Sequence, residues 1–169
     1  MLTSGRTLRM AGWFFVVGLA AGCGGSHAPT LSISSGDPNA QSAQARLIGT
    51  WNGQFVMHKD ADPEAFDPAT VEACKSMQIR ITFRADGTMS IAASIQLPEI
   101  GTQSNETQGK WTLVSHQNDQ YVVRTQEGDS EPEEVTLYFR GENQFEMLPP
   151  TQLSNLGVMR FVRKTDSRS

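Results

Sequence analysis

The stretch IRITFRADGTMSIAASI, residues 79–95, decides the fold of this chain. Apolar residues alternate with polar ones over residues 79–84 and again over residues 89–95. A period of two places every second side chain on one face of a β-strand. Between the two runs lie Asp86 and Gly87, and Asp-Gly is typical of a tight hairpin turn because glycine accepts a positive φ. The stretch therefore predicts a β-hairpin with one apolar face.

The same alternation extends along the rest of the chain. It predicts six further strands, over residues 51–57, 110–115, 120–125, 135–140, 145–147 and 159–162. The turns between these strands are short and polar. Consecutive short strands favour an antiparallel up-and-down meander, and closing the meander into a barrel removes its exposed edges. The sequence therefore predicts an all-β fold of about eight strands.

One segment after the first strand has a different pattern. Asp67 is a good helix N-cap, and Pro68 suits the first helical position, where the missing N–H is not needed. Residues 70–76 then continue as a short helix. Val71 and Cys74 are three residues apart and share a face, which we expect to point at the barrel.

The first strand opens with Gly49-Thr50-Trp51. This resembles the Gly-x-Trp signature that opens the lipocalins and the fatty-acid-binding proteins, and it implies a small lipocalin-like (calycin-type) barrel. In those families a basic residue from the last strand lies over the tryptophan. Arg163 is the matching residue, because it shares strand parity with Phe161. A guanidinium over an indole ring is a cation–π contact.

The resemblance implies a second property, a small apolar ligand inside the barrel. The side chains that we expect to line such a site are Phe55, Met57, Met89, Ile91, Trp111, Phe139, Met147 and Phe161. Small eight-stranded barrels can instead be filled by their own side chains. In that alternative the same residues form a solid core, and the protein is a structural or protein-interaction module.

The N-terminal residues resemble the signal of a bacterial lipoprotein. Arg6 and Arg9 precede an uncharged apolar run, residues 10–22, which is too short to span a bilayer. Small residues then lead to Cys23, the expected lipidation site. The resemblance implies a protein held by its lipid at the cell envelope. No aspartate follows Cys23, which favours the outer membrane, facing the periplasm.

The expected domain organisation has four parts. Residues 1–22 form the signal peptide, 23–45 the lipidated cysteine and a flexible tether rich in Gly, Ser, Ala and Pro, 46–164 the barrel domain, and 165–169 a disordered tail. The chain has 14 basic and 18 acidic residues, a net charge of −4. An acidic chain without a basic cluster argues against nucleic acid as a partner. The expected partners are the membrane, a small apolar ligand and an envelope protein.

The sequence offers little that could carry out catalysis. His27, His58 and His116 lie in the tether or at strand ends, with no nucleophile motif beside them. Asp60, Asp62 and Glu64 form an acidic loop, and a second acidic stretch covers residues 127–134; both are expected to be solvated. Cys74 is expected to be a small buried apolar residue. The chain is therefore predicted not to be an enzyme and to hold no cofactor and no metal.

Overall fold

A computed structural model describes residues 38–97, 99–149 and 152–165 of the chain. The elements in chain order are α1 (Pro38–Leu47), β1 (Gly49–Met57), a 3-10 turn (Pro63–Ala65), α2 (Pro68–Ser76), β2 (Gln78–Phe83), β3 (Thr88–Leu97), β4 (Gly101–Gln117), β5 (Gln120–Glu127), β6 (Glu133–Phe139), β7 (Gln144–Met147) and β8 (Gly157–Arg163). No helix in the described ranges is long and apolar enough to cross a membrane. Cys23 and the predicted signal peptide lie outside the described residues.

The eight strands form one closed antiparallel barrel in which each strand pairs with the next along the chain. β8 then returns to pair with β1, with Arg163 opposite Trp51 and Gly157 opposite Met57. Closure gives every strand a neighbour on both sides, although residues 101–108 of β4 extend beyond the end of β5. The predicted fold class, an up-and-down barrel of eight strands, is confirmed.

The hairpin between β2 and β3 has the turn chemistry that the sequence predicts. Gly87 has a φ of +81°, which an L side chain rarely adopts. The carboxylate of Asp86 accepts hydrogen bonds from the Thr88 backbone N–H at 2.9 Å and from the Thr88 hydroxyl at 2.7 Å. These two bonds lower the pKa of Asp86. The turn is therefore fixed by local hydrogen bonds as well as by glycine.

The short helix after the first strand is also confirmed. The Asp67 carboxylate accepts a hydrogen bond from the Thr70 backbone N–H at 3.0 Å, and Pro68 occupies the first turn. Val71 and Cys74 are buried, as their spacing predicts. The Cys74 thiol is free, and burial raises its pKa. It is therefore a packing residue of α2.

Helix α1 differs from the sequence prediction. Residues 38–45 were expected to belong to a flexible tether, with the domain beginning at residue 46, but the helix begins at Pro38. Ala43 and Leu47, four residues apart, are buried in the core. The Leu47 carbonyl accepts a hydrogen bond from the Trp51 indole at 2.8 Å. Contacts with the barrel thus stabilise a helix that its own weak apolar pattern does not reveal.

Strand β4 begins earlier than predicted. The alternation indicated a start near residue 110, whereas β4 begins at Gly101 and pairs with β3 as far as Leu97. Residues 101–106 are polar and exposed. The β3–β4 ladder supplies their hydrogen bonds, so this end of the hairpin needs no apolar pattern.

Candidate functional site

The barrel has two ends, which we name after the helices beside them. The α1 end carries the β2–β3, β4–β5 and β6–β7 turns, and the α2 end carries the other strand connections. Residues directly opposite in an antiparallel ladder point to the same side of the sheet. The strand register therefore shows which side chains point inward at each end.

Aromatic rings fill the interior toward the α1 end. Trp51, Phe139, Phe145 and Phe161 are at most 2 % exposed. The Phe145 ring centroid lies 4.8 Å from that of Trp51 and 4.8 Å from that of Phe161, with the two phenylalanine rings stacked. Such distances are typical of favourable aromatic pairs. This half of the barrel is a solid core.

A glycine on β1 makes room for one of these rings. Gly53 lies opposite Phe161 in the β1–β8 ladder. A Cβ at Gly53 would lie 2.3 Å from Cε1 and 2.5 Å from Cδ1 of Phe161. The Phe161 ring therefore occupies the space in which another residue would place its side chain. The Phe161 side chain thus fills the interior space between β1 and β8.

Arg163 lies over Trp51 at the α1 end. Its Cζ is 4.2 Å from the centroid of the indole ring. One guanidinium nitrogen donates to the Ile48 carbonyl at 2.7 Å, and the other donates to the Arg46 carbonyl. Gly49 has a φ of +135°, and a Cβ there would lie 2.7 Å from Nη1 of Arg163. The glycine and tryptophan of the Gly-Thr-Trp sequence thus both contact this arginine.

The inward-facing residues toward the α2 end are less enclosed. Among the eight residues predicted to line a ligand, five are buried in the core, namely Phe55, Met89, Trp111, Phe139 and Phe161. The other three are half-buried, namely Met57, Ile91 and Met147. Val135, Ala93 and Met77 are half-buried as well. Several partly exposed apolar side chains on the inner face therefore lie toward the α2 end, and Leu113, nearer the α1 end, is half-buried too.

Two glutamates lie on the same inner face at this end. Glu133 is opposite Thr125, which is opposite the buried Trp111, and Glu127 is opposite Gly109. Burial raises the pKa of Glu133, and the charge of Glu127 raises it further. The sequence pattern predicts that residues 127–134 are solvated, but Glu127 and Glu133 are half-buried. The parity of Glu133 with Val135 and Leu137 on β6 was the signal that could have placed it inside.

Helix α2 lies beside this end and contacts β1 and β3. The Ser76 hydroxyl donates to the Gln96 carbonyl at 3.0 Å and accepts from the Gln96 backbone N–H at 3.0 Å. Between the 3-10 turn and α2 lies an open groove of about 400 Å³, lined by Phe66 and Val71 among others. The helix is thus held at the rim of the barrel by few polar contacts.

Two large apolar side chains are exposed at the same end. Ile100, in the β3–β4 turn, is 59 % exposed, and Leu148, which follows β7, is 57 % exposed. Single exposed apolar residues are normal on protein surfaces. Here both lie in strand connections at the α2 end.

Two side chains in and beside the acidic loop after β1 have structural partners. Asp62 accepts a hydrogen bond from the Glu64 backbone N–H at 3.1 Å and caps the 3-10 turn. A His58 ring nitrogen lies 3.2 Å from the Ser154 carbonyl. Within residues 38–97, 99–149 and 152–165, no group of three or more His, Cys, Asp or Glu residues is arranged to hold a metal ion.

The chain was also compared with known proteins. No protein-family model matches it, and no curated protein matches it. Among solved structures it is similar to a de novo designed fluorescence-activating β-barrel, with 15 % sequence identity and a TM-score of 0.36. The match covers 72 % of this chain and 97 % of the designed chain. The architecture stated above therefore rests on the strand pairing of this protein.

Proposed function

We propose that this protein is a lipid-anchored, lipocalin-like barrel of the bacterial cell envelope that binds a small apolar molecule at its α2 end. The single observation that carries the proposal is the division of the interior. Aromatic rings fill the α1 half, whereas Met57, Ile91 and Met147 stay half-buried toward the α2 end. Ligand pockets are concave and mostly apolar, with a few polar groups.

The composition of this inner face favours a flexible apolar chain as the ligand. Methionine side chains are unbranched and polarisable, so they adapt to irregular apolar shapes. Met57 and Met147 are near each other in the barrel, because Met57 opposes Gly157 on β8 and Met147 opposes Met159 two residues further along that strand. An acyl chain would contact these residues without entering the aromatic core.

The lipid anchor at Cys23 is part of the proposal because of the sequence around it. More than one acyl chain on the N-terminal cysteine would give stable membrane attachment. Attachment would keep the barrel next to a supply of acyl chains. The site would then take up or release a lipid-derived molecule at the membrane surface.

A matched pair of substitutions on β3 tests the ligand site. Ala93 points inward, opposite Ile79, while its neighbour Ala92 points outward, opposite Arg80. We expect Ala93→Trp in the full chain to weaken binding of a fluorescent acyl-chain probe at least tenfold, and Ala92→Trp to leave it unchanged. An absence of saturable probe binding, or an equal effect of both substitutions, would contradict the proposal.

A second candidate function is supported by the buried core. Five of the eight predicted ligand-lining residues are core residues, which favours a non-enzymatic interaction module. Its contact surface would include Ile100 and Leu148 at the α2 end. In-membrane crosslinking from Thr102, an exposed neighbour of Ile100, tests it. A reproducible partner protein, lost in Ile100→Glu and Leu148→Glu variants, is the expected result, and random neighbours would argue against it.

A further inference from the structure

The α1 end carries an open groove that the apolar ligand site does not use. Its volume is about 730 Å³, and it lies between α1, the β4–β5 turn and the β6–β7 turn. The side chains on its walls include Arg46, His116, Tyr121, Asn143 and Arg163. Almost all of these groups can donate hydrogen bonds. The groove is therefore rich in donors.

Both arginines are held in place by uncharged groups. The Arg46 guanidinium lies 4.2 Å from the Phe139 ring centroid and donates to the Gly141 carbonyl at 2.7 Å. Arg163 contacts the Trp51 ring and the carbonyls of Ile48 and Arg46. Ring faces and carbonyl oxygens orient a guanidinium, but they carry no formal charge to neutralise it.

Carboxylates neutralise these two charges poorly. Arg46 is 3.4 Å from Asp119, whose side chain is 68 % exposed. Such an exposed ion pair contributes little. In the part of the chain that the structure describes, Arg163 has no ion pair with a carboxylate. Burial lowers the pKa of Arg163, and the nearby Arg46 charge lowers it further. The groove thus holds two arginines whose acidic neighbours, Asp119 and Glu142, are both exposed.

Two polar atoms in this region lack a hydrogen-bond partner. They are Nε of Arg46 and Nδ1 of His116, and both are buried. The two side chains flank the same ring, because Arg46 lies 5.7 Å and His116 5.7 Å from the centroid of Tyr121. A buried polar group without a partner costs about 1–3 kcal/mol. Arg46 and His116, which both line the groove, thus each have one unsatisfied polar atom just behind its wall.

We propose that the groove at the α1 end binds a small oxyanion, such as a phosphate group, next to Arg46 and Arg163. A guanidinium matches the geometry of phosphate and carboxylate oxygens and donates to two of them at once. Tyr121 and Asn143 would supply further donors. The anion would offset the charge of both arginines, which no buried carboxylate does. This site is separate from the proposed apolar site, which lies at the opposite end.

A titration with inorganic phosphate tests the proposal. Amide NMR signals of the full chain would be followed at constant ionic strength, with sodium chloride as the reference salt. We expect saturable shifts at Arg46, His116 and Asn143 with phosphate. Shifts that do not saturate, or that chloride produces equally, would overturn the proposal.

Charge substitutions give the test its controls. Glu142→Gln removes an exposed negative charge from the groove and should tighten phosphate binding roughly two- to fivefold. Glu134→Gln, the same change at an exposed position of β6, should have no effect. Arg46→Gln should abolish binding, and if that variant does not fold, Glu142→Gln still decides. Equal effects of the two glutamate substitutions would contradict the proposal.

Vesicles identify the source of the oxyanion. Displacement of phosphate by phosphatidylglycerol vesicles, but not by uncharged detergent micelles, would show that a lipid phosphate diester occupies the groove. Retention of phosphate with both would show that the groove takes a free anion. Each of these results requires saturable phosphate binding, so each supports the site.

Discussion

Replacing Gly53 by alanine should destabilise the barrel by overpacking its interior. The new Cβ would lie 2.3, 2.5 and 2.8 Å from three atoms of the Phe161 ring. That ring is fully buried and stacked 4.8 Å from Phe145, so it has little room to move. Overpacking of a core costs about 1–3 kcal/mol. Because three contacts are violated at once, we expect the free energy of unfolding to fall by about 3 kcal/mol.

Urea unfolding of the full chain, followed by far-UV circular dichroism, measures this cost. Gln54→Ala serves as the matched control, because Gln54 is the next residue on β1 and points outward. Surface substitutions of this kind stay within about 0.5 kcal/mol. A free energy of unfolding for Gly53→Ala within 0.5 kcal/mol of the wild type would refute the account of the filled α1 half.

A double substitution separates the steric cause from other effects. Phe161→Leu removes the ring atoms that the new Cβ would contact, and it costs stability by itself. If the clash is the cause, Gly53→Ala should cost about 1–2 kcal/mol less in the Phe161→Leu background, since residues in contact are not additive. Simple additivity of the two costs would show that the close approach of Gly53 and Phe161 does not limit stability.

Three further predictions concern charged residues. Arg163→Leu should lower the free energy of unfolding by about 2–4 kcal/mol, because a charged hydrogen bond to Ile48 and the contact with Trp51 are lost. Arg80→Leu, at an exposed position, is the control, and a smaller loss for Arg163→Leu than for Arg80→Leu would contradict the prediction. Glu146 is 14 % exposed, and although burial raises its pKa, hydrogen bonds from Arg140 and Arg160 lower it overall. The ionised Glu146 carboxylate therefore stabilises the fold above the unfolded pKa of about 4.3, and this stabilisation is lost as the pH falls through the lower folded pKa. Glu146→Gln should therefore flatten the acid limb of a curve of unfolding free energy against pH. The pKa of Glu133 is raised, so Glu133→Gln should increase stability at pH 7 and leave it unchanged at pH 3; a loss of stability at pH 7 would contradict the inward placement of this carboxylate.

Much of the barrel is predictable because the sequence alternates. Ile79, Ile81 and Phe83 are all buried, as a period of two requires, and Asp86-Gly87 forms the turn between β2 and β3. The pattern works because each strand has one face in the core and one in solvent. Where the connections are short, as between β2 and β3 or β4 and β5, each strand has its neighbour at hand for pairing.

Helix α1 and the first part of β4 were missed for a different physical reason. Leu47 and Ala43 are the apolar residues that bury α1, and two such residues in a polar segment give no usable period. Residues 101–106 pair with β3 through the backbone, which carries no sequence signature. Both elements depend on contacts with distant residues, which a local pattern does not contain.

The candidate site was only partly predictable. Strand parity placed Met57 and Met89 on the inner face together, yet the structure leaves Met57 half-buried and encloses Met89. The difference in burial between the two methionines depends on their position along the barrel axis, and the alternation of apolar and polar residues carries no information about that position. The groove at the α1 end was also out of reach, because it joins Arg46 to residues of two turns and of β8 far away in the chain.

The methionine methyl groups offer the most direct test of the central claim, that the α2 half takes the ligand and the α1 half is solid. The full chain, with ¹³C-labelled methionine methyl groups, would be titrated with a fatty acid carrying a nitroxide spin label. We predict broadening of the Met57, Met77 and Met147 signals at the α2 end, while Met89, which is 1 % exposed beside Phe83, stays sharp. Broadening of Met89 before Met57 and Met147, or no broadening at all, would contradict the account.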